Sequence, residues 1–100
     1  MDNIYDLAKE LDNIYEALYI DLEDDVSYII KKNIRNTKFI ESTLDNLLDI
    51  PTDKAYDLFI TLCDYYMTID KEAAMFYIDT YDEVYGMIKP KVKKKDYKQL

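Results

Sequence analysis

Apolar residues recur at intervals of three and four along nearly the whole chain, and very little in it would interrupt a helix. One glycine and two prolines occur in 100 residues. No stretch alternates apolar and polar residues with period two, and no Asn-Gly or similar hairpin turn is present. A β-strand buries every second residue and a helix every third or fourth, so this pattern selects helices over sheets. The chain is expected to be all-α, a compact antiparallel bundle of about four helices joined by very short connections. An acidic bundle over residues 1–89 would be followed by a flexible lysine-rich tail over 90–100.

The first predicted helix covers residues 3–23, with Ile4, Leu7, Leu11, Ile14, Leu18 and Leu22 on one face and Ala8, Tyr15 and Tyr19 widening it. Glu23-Asp24-Asp25 reads as an acidic junction. A second helix then runs from Val26 to Asp49 and buries Val26, Ile29, Ile30, Ile40, Leu44, Leu47 and Leu48. Asn33 and Thr37 interrupt that face, and a core Asn fixing how the helix packs is preferred to a bend. Pro51 ends the helix, and Thr52 or Asp53 caps a third one over 53–68. Its inner face is Ala55, Leu58, Phe59, Leu62, Tyr66 and Ile69. Asp70 caps a fourth over 71–88, burying Ala74, Tyr77, Ile78, Tyr81, Val84, Tyr85 and Ile88, with Gly86 near its end and Pro90 closing it. The offsets of Leu62, Tyr66, Ala74 and Tyr81 resemble a tetratricopeptide-type helical hairpin over about a third of the chain. The glycines and proline of that pattern are absent and no second copy follows, so the likeness is read as ordinary helix-pair packing.

Charge is divided as sharply as hydropathy is regular. Residues 1–86 hold 20 Asp/Glu against 7 Lys/Arg, whereas residues 87–100 hold six Lys against Asp96, so a net charge of −8 is the sum of −13 and +5. Fifteen of the acids are Asp and six are Glu. Asp is the poorer helix former. Asp2, Asp25, Asp53 and Asp70 fall near predicted helix starts, where a carboxylate caps free N–H groups. The others place short carboxylates close to a helix surface in a fixed negative pattern.

Several chemistries lack their usual groups. There is no histidine for acid–base work and no glycine-rich phosphate loop. The single Cys63 sits beside Asp64 at the edge of an apolar face, a setting that suits a small buried hydrophobe and not a thiolate nucleophile. Asp21, Glu23, Asp24 and Asp25 lack the spacing and glycine of a calcium loop. No catalytic, cofactor or metal site is assigned, and the protein is read as non-enzymatic. The acidic start Met1-Asp2-Asn3-Ile4, the single cysteine and the lack of a long apolar run predict a soluble, cytoplasmic protein that neither enters a membrane nor binds nucleic acid directly. Lys31, Lys32, Arg35 and Lys38 are expected on the outer face of the second helix, paired across to the acidic helices or docked on an acidic partner. Solvation is the simplest expectation for the tail.

Partner contacts are assigned to two kinds of surface. Asp6, Glu10, Asp53, Asp57, Asp64, Asp79 and Glu83 form outward acidic rows on rigid helices, suited to the basic surface of a partner protein. Tyr56, Ile60 and Met67 form, with Cys63, a second apolar stripe on the third helix, and Phe76 and Met87 point away from the core of the fourth. The preferred reading is a small acidic inhibitor or decoy that mimics nucleic acid and acts on a nucleic-acid-handling protein. Small phage- or plasmid-borne anti-defence inhibitors resemble it in physical type, not in sequence. The alternative is an oligomeric helical scaffold or immunity-type bundle that associates through an apolar face.

Overall fold

The computed structural model describes residues 3–86, with the side chains of residues 3–9 and of Asp12 outside that description. The predicted tail, Met87 and Ile88 also lie outside it. Among the described residues the protein is all-α, with helices α1 (Asn3–Lys31), α2 (Thr37–Leu48), α3 (Asp53–Met67) and α4 (Lys71–Tyr85) and no strand. The chain divides within α3 into two compact units, Met1–Leu62 and Cys63–Leu100.

The first helix ends eight residues later, and the second begins eleven residues later, than the sequence suggests. Glu23-Asp24-Asp25 is no junction, because α1 runs through it as one 29-residue helix. Leu22, Val26 and Ile29 keep helical spacing across the acids and are all buried, which holds the segment helical against its poor propensity. Asp25 is therefore a mid-helix residue and caps nothing. The helix ends at Lys31 instead, and Asn33 in the turn that follows has a left-handed φ of 55°. The N–H of Ile34 donates to the carbonyl of Ile29 at 2.9 Å, and the N–H of Asn33 to that of Ile30 at 3.2 Å. This nested pair is the Schellman ending, and Asn tolerates its left-handed position better than other side chains. Asn33 is exposed and lies in a turn, not in a core polar layer as expected. Lys31 in the last turn of α1 also suits the negative end of the helix dipole.

Asn36 opens α2, its side chain accepting from the Phe39 N–H at 3.1 Å. Ile40, Leu44 and Leu47 are buried as predicted. Thr43 is buried with them, and its hydroxyl donates to the Phe39 carbonyl at 2.9 Å, which satisfies the polar group without leaving the helix. Thr52, one of the two cap candidates, caps α3 by accepting from the Ala55 N–H at 3.1 Å. Asp53 follows as the first-turn acid. Ile50, Ala55, Phe59 and Leu62 complete the buried set of the first unit.

α1 and α2 pack against each other, but they differ in length. The 29 residues of α1 rise about 43 Å and the 12 of α2 about 18 Å. Leu22, Val26 and Ile29 are covered, whereas Leu11, Ile14 and Leu18 are 50%, 52% and 45% exposed. These three were expected on one helical face with Leu22. Periodicity places them on the same face of the helix as Leu22, but α2, which packs against α1, is less than half its length.

In the second unit Cys63, Tyr66, Ala74, Tyr77, Ile78 and Tyr81 are buried. Asp70 caps α4 as predicted, accepting from the Ala73 N–H at 3.1 Å. The expected inner face ends early, because Val84 is 56% exposed. The Tyr81 and Tyr85 rings lie 4.6 Å apart between centroids at 41°. Among the described residues no buried polar side-chain atom lacks a partner.

Candidate interaction surfaces

The most organised surface feature of the first unit is a corner where α1 meets the start of α3. Tyr15, Glu16, Tyr19, Thr52, Asp53 and Lys54 line an open cleft of about 300 Å³ there. Tyr15 and Tyr19 reach it because they flank the apolar stripe of α1, and Glu16 lies on the solvent side of them. Thr52 turns the chain into α3 and so sets Asp53 and Lys54 at the rim.

Lys54 Nζ lies 3.6 Å from Glu16 Oε2 and 5.5 Å from the centroid of the Tyr19 ring. The two ion-pair side chains are 64% and 54% exposed, so water and salt leave the pair worth no more than about 1 kcal/mol. The cation–π contact adds a similarly small amount at an exposed site. Burial is the first cause of a raised pKa at the Tyr19 hydroxyl, and Glu23 is the second. Lys54 opposes the shift, and Asp57 and Glu16 reinforce it. One cation thus stands among several carboxylates, and Tyr19 lies in a net negative field. Glu16 and Glu23 are seven residues apart on α1, a rise of about 10 Å, and Asp53 and Asp57 are four apart on α3, about 6 Å. All four are exposed. The arrangement presents fixed negative charge beside two tyrosine rings, which suits a cationic side chain.

Of the acidic positions assigned from sequence, Glu10 on α1, Asp53, Asp57 and Asp64 on α3, and Asp79 and Glu83 on α4 are exposed. The Asp6 side chain lies outside the described ones. Asp53 and Asp57 join the α1–α3 corner, together with Glu16, Glu23 and Lys54, which the assigned set does not contain. That meeting depends on tertiary packing, and no local spacing announces it. The apolar positions divide differently. Tyr56, Ile60 and Met67 are half-buried and Cys63 is fully buried, so the second stripe of α3 is largely covered. Phe76 is 63% exposed, the most exposed large apolar side chain described, and its ring meets that of Tyr77 edge-on at 5.6 Å. Met87 lies outside the described residues.

Burial first, then the adjacent Asp64 carboxylate, push the Cys63 thiol up to about 12. It packs as a small hydrophobe and is protonated at neutral pH. The continuous helix through Asp21–Asp25 spreads those acids around its circumference, about 100° per residue. Among the described residues no three His, Cys, Asp or Glu side chains are grouped to hold a metal ion. Lys31, Lys32, Arg35 and Lys38 are exposed but do not share one helix face, because the α1–α2 turn runs through the group. No described helix is long and apolar enough to cross a membrane.

Comparison with known proteins returns no match: no family model fits the sequence, and no curated protein or solved structure is significantly similar.

Proposed function

We propose that the protein is a non-enzymatic interaction module that occupies a basic groove on a nucleic-acid-handling protein, as an acidic inhibitor or decoy of the anti-defence type. The α1–α3 corner carries this reading. There Glu16, Glu23, Asp53 and Asp57 stand exposed around Tyr15 and Tyr19, with Lys54 as a single cation among them. Carboxylates on helices cost little to order on binding, because the helix already holds them. Tyrosine rings beside them supply apolar contact with a polar edge, a combination enriched at protein interfaces. A groove built for phosphates offers Arg and Lys, which accept carboxylates in the same way. Complementary charge also accelerates encounter. A cytoplasmic setting is part of the proposal, supported by the single cysteine.

The test is affinity capture from a host lysate at about 50 mM and about 500 mM salt, with the retained proteins identified by mass spectrometry. A basic nucleic-acid-handling protein held at low salt and released at high salt is expected, because exposed charge pairs weaken as the Debye length shrinks. Asp53→Asn combined with Asp57→Asn and Asp64→Asn should abolish its capture. A neutral partner retained through high salt, or capture indifferent to the three substitutions, overturns the proposal.

A further inference from the structure

We infer that the turn between α1 and α2 is a docking surface for an acidic segment of a partner protein, held by Lys31, Lys32, Arg35 and Lys38. The inference is independent of the decoy reading and concerns the opposite charge. Residues 26–40 contain these four cations and no Asp or Glu, in a chain whose first 86 residues hold 20 acids and 7 cations. More than half of those cations therefore fall within eight consecutive positions. Two uses were open to them, pairing with the acidic helices or docking on an acidic partner. All four are exposed, and among the described residues none of their side chains is ion-paired. The fold does not consume their charge, and the second use stands.

Local stability does not account for the cluster. Only Lys31, in the last turn of α1, meets an end of a helix dipole that favours a cation. Lys38 lies in the first turn of α2, at the positive end, where a carboxylate is favoured and none is present. Lys32 and Arg35 lie between the helices and support neither. The Asn33 ending of α1 and the Asn36 cap of α2 fix the backbone that carries them, so less freedom is lost on binding. The size of the surface selects the occupant. Asp25 precedes Lys31 by a rise of about 9 Å on α1, and Glu41 follows Lys38 by about 4.5 Å on α2. Duplex nucleic acid carries a negative charge about every 1.7 Å and would run past the turn onto those acids. A short acidic protein segment ends within the patch, where Lys and Arg donate charge-assisted hydrogen bonds to its carboxylates. Four exposed pairs correspond to a dissociation constant of about 1 mM at best.

The test titrates a hexaglutamate peptide into the isotope-labelled full chain and follows backbone amide shifts by NMR. Saturable shifts confined to the turn and its flanking helix ends are expected at about 20 mM salt, and their loss at about 200 mM. Lys32→Glu with Arg35→Glu should weaken binding at least about tenfold. Both side chains are exposed, so the thermal melt of that variant should match the parent's. Lys32→Gln with Arg35→Gln should weaken binding at least about threefold, and it carries the test where the charge-reversed pair loses helix. A thymidine dodecanucleotide, at the same concentration of negative charge, should bind more weakly than the peptide. No saturable shift, shifts spread over the whole chain, binding indifferent to both pairs of substitutions, or tighter binding of the oligonucleotide each overturns the inference. Failure of the capture experiment leaves it standing, because Asp53, Asp57 and Asp64 lie outside the turn.

Discussion

Alanine substitutions at Leu22 and Leu18, made one at a time, separate the covered half of one apolar stripe from the uncovered half. Leu→Ala removes about three methylene equivalents, worth about 2.4 kcal/mol when full burial contributes about 0.8 kcal/mol each. Leu22 is 6% exposed, so nearly all of this is lost, and the hole left in a packed interior raises the cost to about 3 kcal/mol. Leu18 is 45% exposed, so a little over half is lost, about 1.3 kcal/mol, and water fills the space. Alanine's better helix propensity returns a few tenths, leaving about 1 kcal/mol at Leu18. The difference of about 2 kcal/mol corresponds to about 8–16 °C in melting temperature for a domain of this size. Far-ultraviolet circular dichroism during urea and thermal unfolding measures it. The protein is held near 1 µM, so that association between copies contributes nothing to the measured stability. Equal losses at the two positions under those conditions would mean that Leu18 is as buried as Leu22, which removes the exposure argument.

Asp70→Ala is expected to cost about 1 kcal/mol by freeing the Ala73 N–H, while Asp70→Asn keeps most of that stability; thermal melts of the two compare them directly. At Asn33 the left-handed φ of 55° makes glycine neutral or mildly stabilising, whereas valine should cost about 1–2 kcal/mol, read from urea midpoints. Cys63 should resist a thiol reagent at pH 8 in the native state and react at once in urea, and prompt native reaction would contradict its burial. Its thiol titrates near 9 in an ordinary setting and about 12 in the folded chain, so folding favours the protonated form. The stability from this group is complete below pH 9 and is lost as pH rises from about 9 towards 12, so the decline over that range should be shallower in Cys63→Ala, with the part due to Tyr19 remaining.

Helix content, the caps at Thr52 and Asp70, and the face that each helix turns inward were all legible in the sequence. Each depends on interactions within a few residues: a side-chain oxygen reaching an N–H three positions on, or apolar residues recurring each turn. The α1–α2 boundary was harder because two local signals conflicted. Glu23-Asp24-Asp25 is a poor helix segment by propensity, but Leu22, Val26 and Ile29 gain more by burial than those acids lose. At Asn33 the left-handed turn that suits asparagine was visible in principle, yet the residue's place on an apolar face suggested a core role.

The sequence by itself determined that this chain is helical, acidic over its first 86 residues, and without histidine or a phosphate-binding loop, since composition and period are properties of the chain alone. Only the tertiary structure decided which of those faces meets another. Periodicity states that Leu11, Ile14 and Leu18 share a stripe with Leu22, Val26 and Ile29. It does not state that the helix packed against α1 is less than half as long as α1. Nor does it state that Lys54 comes to rest between Glu16 and Tyr19, 38 and 35 residues earlier in the chain. Burial and a shared electric field need atoms that are close in space, and neither is encoded in the spacing of residues along one helix.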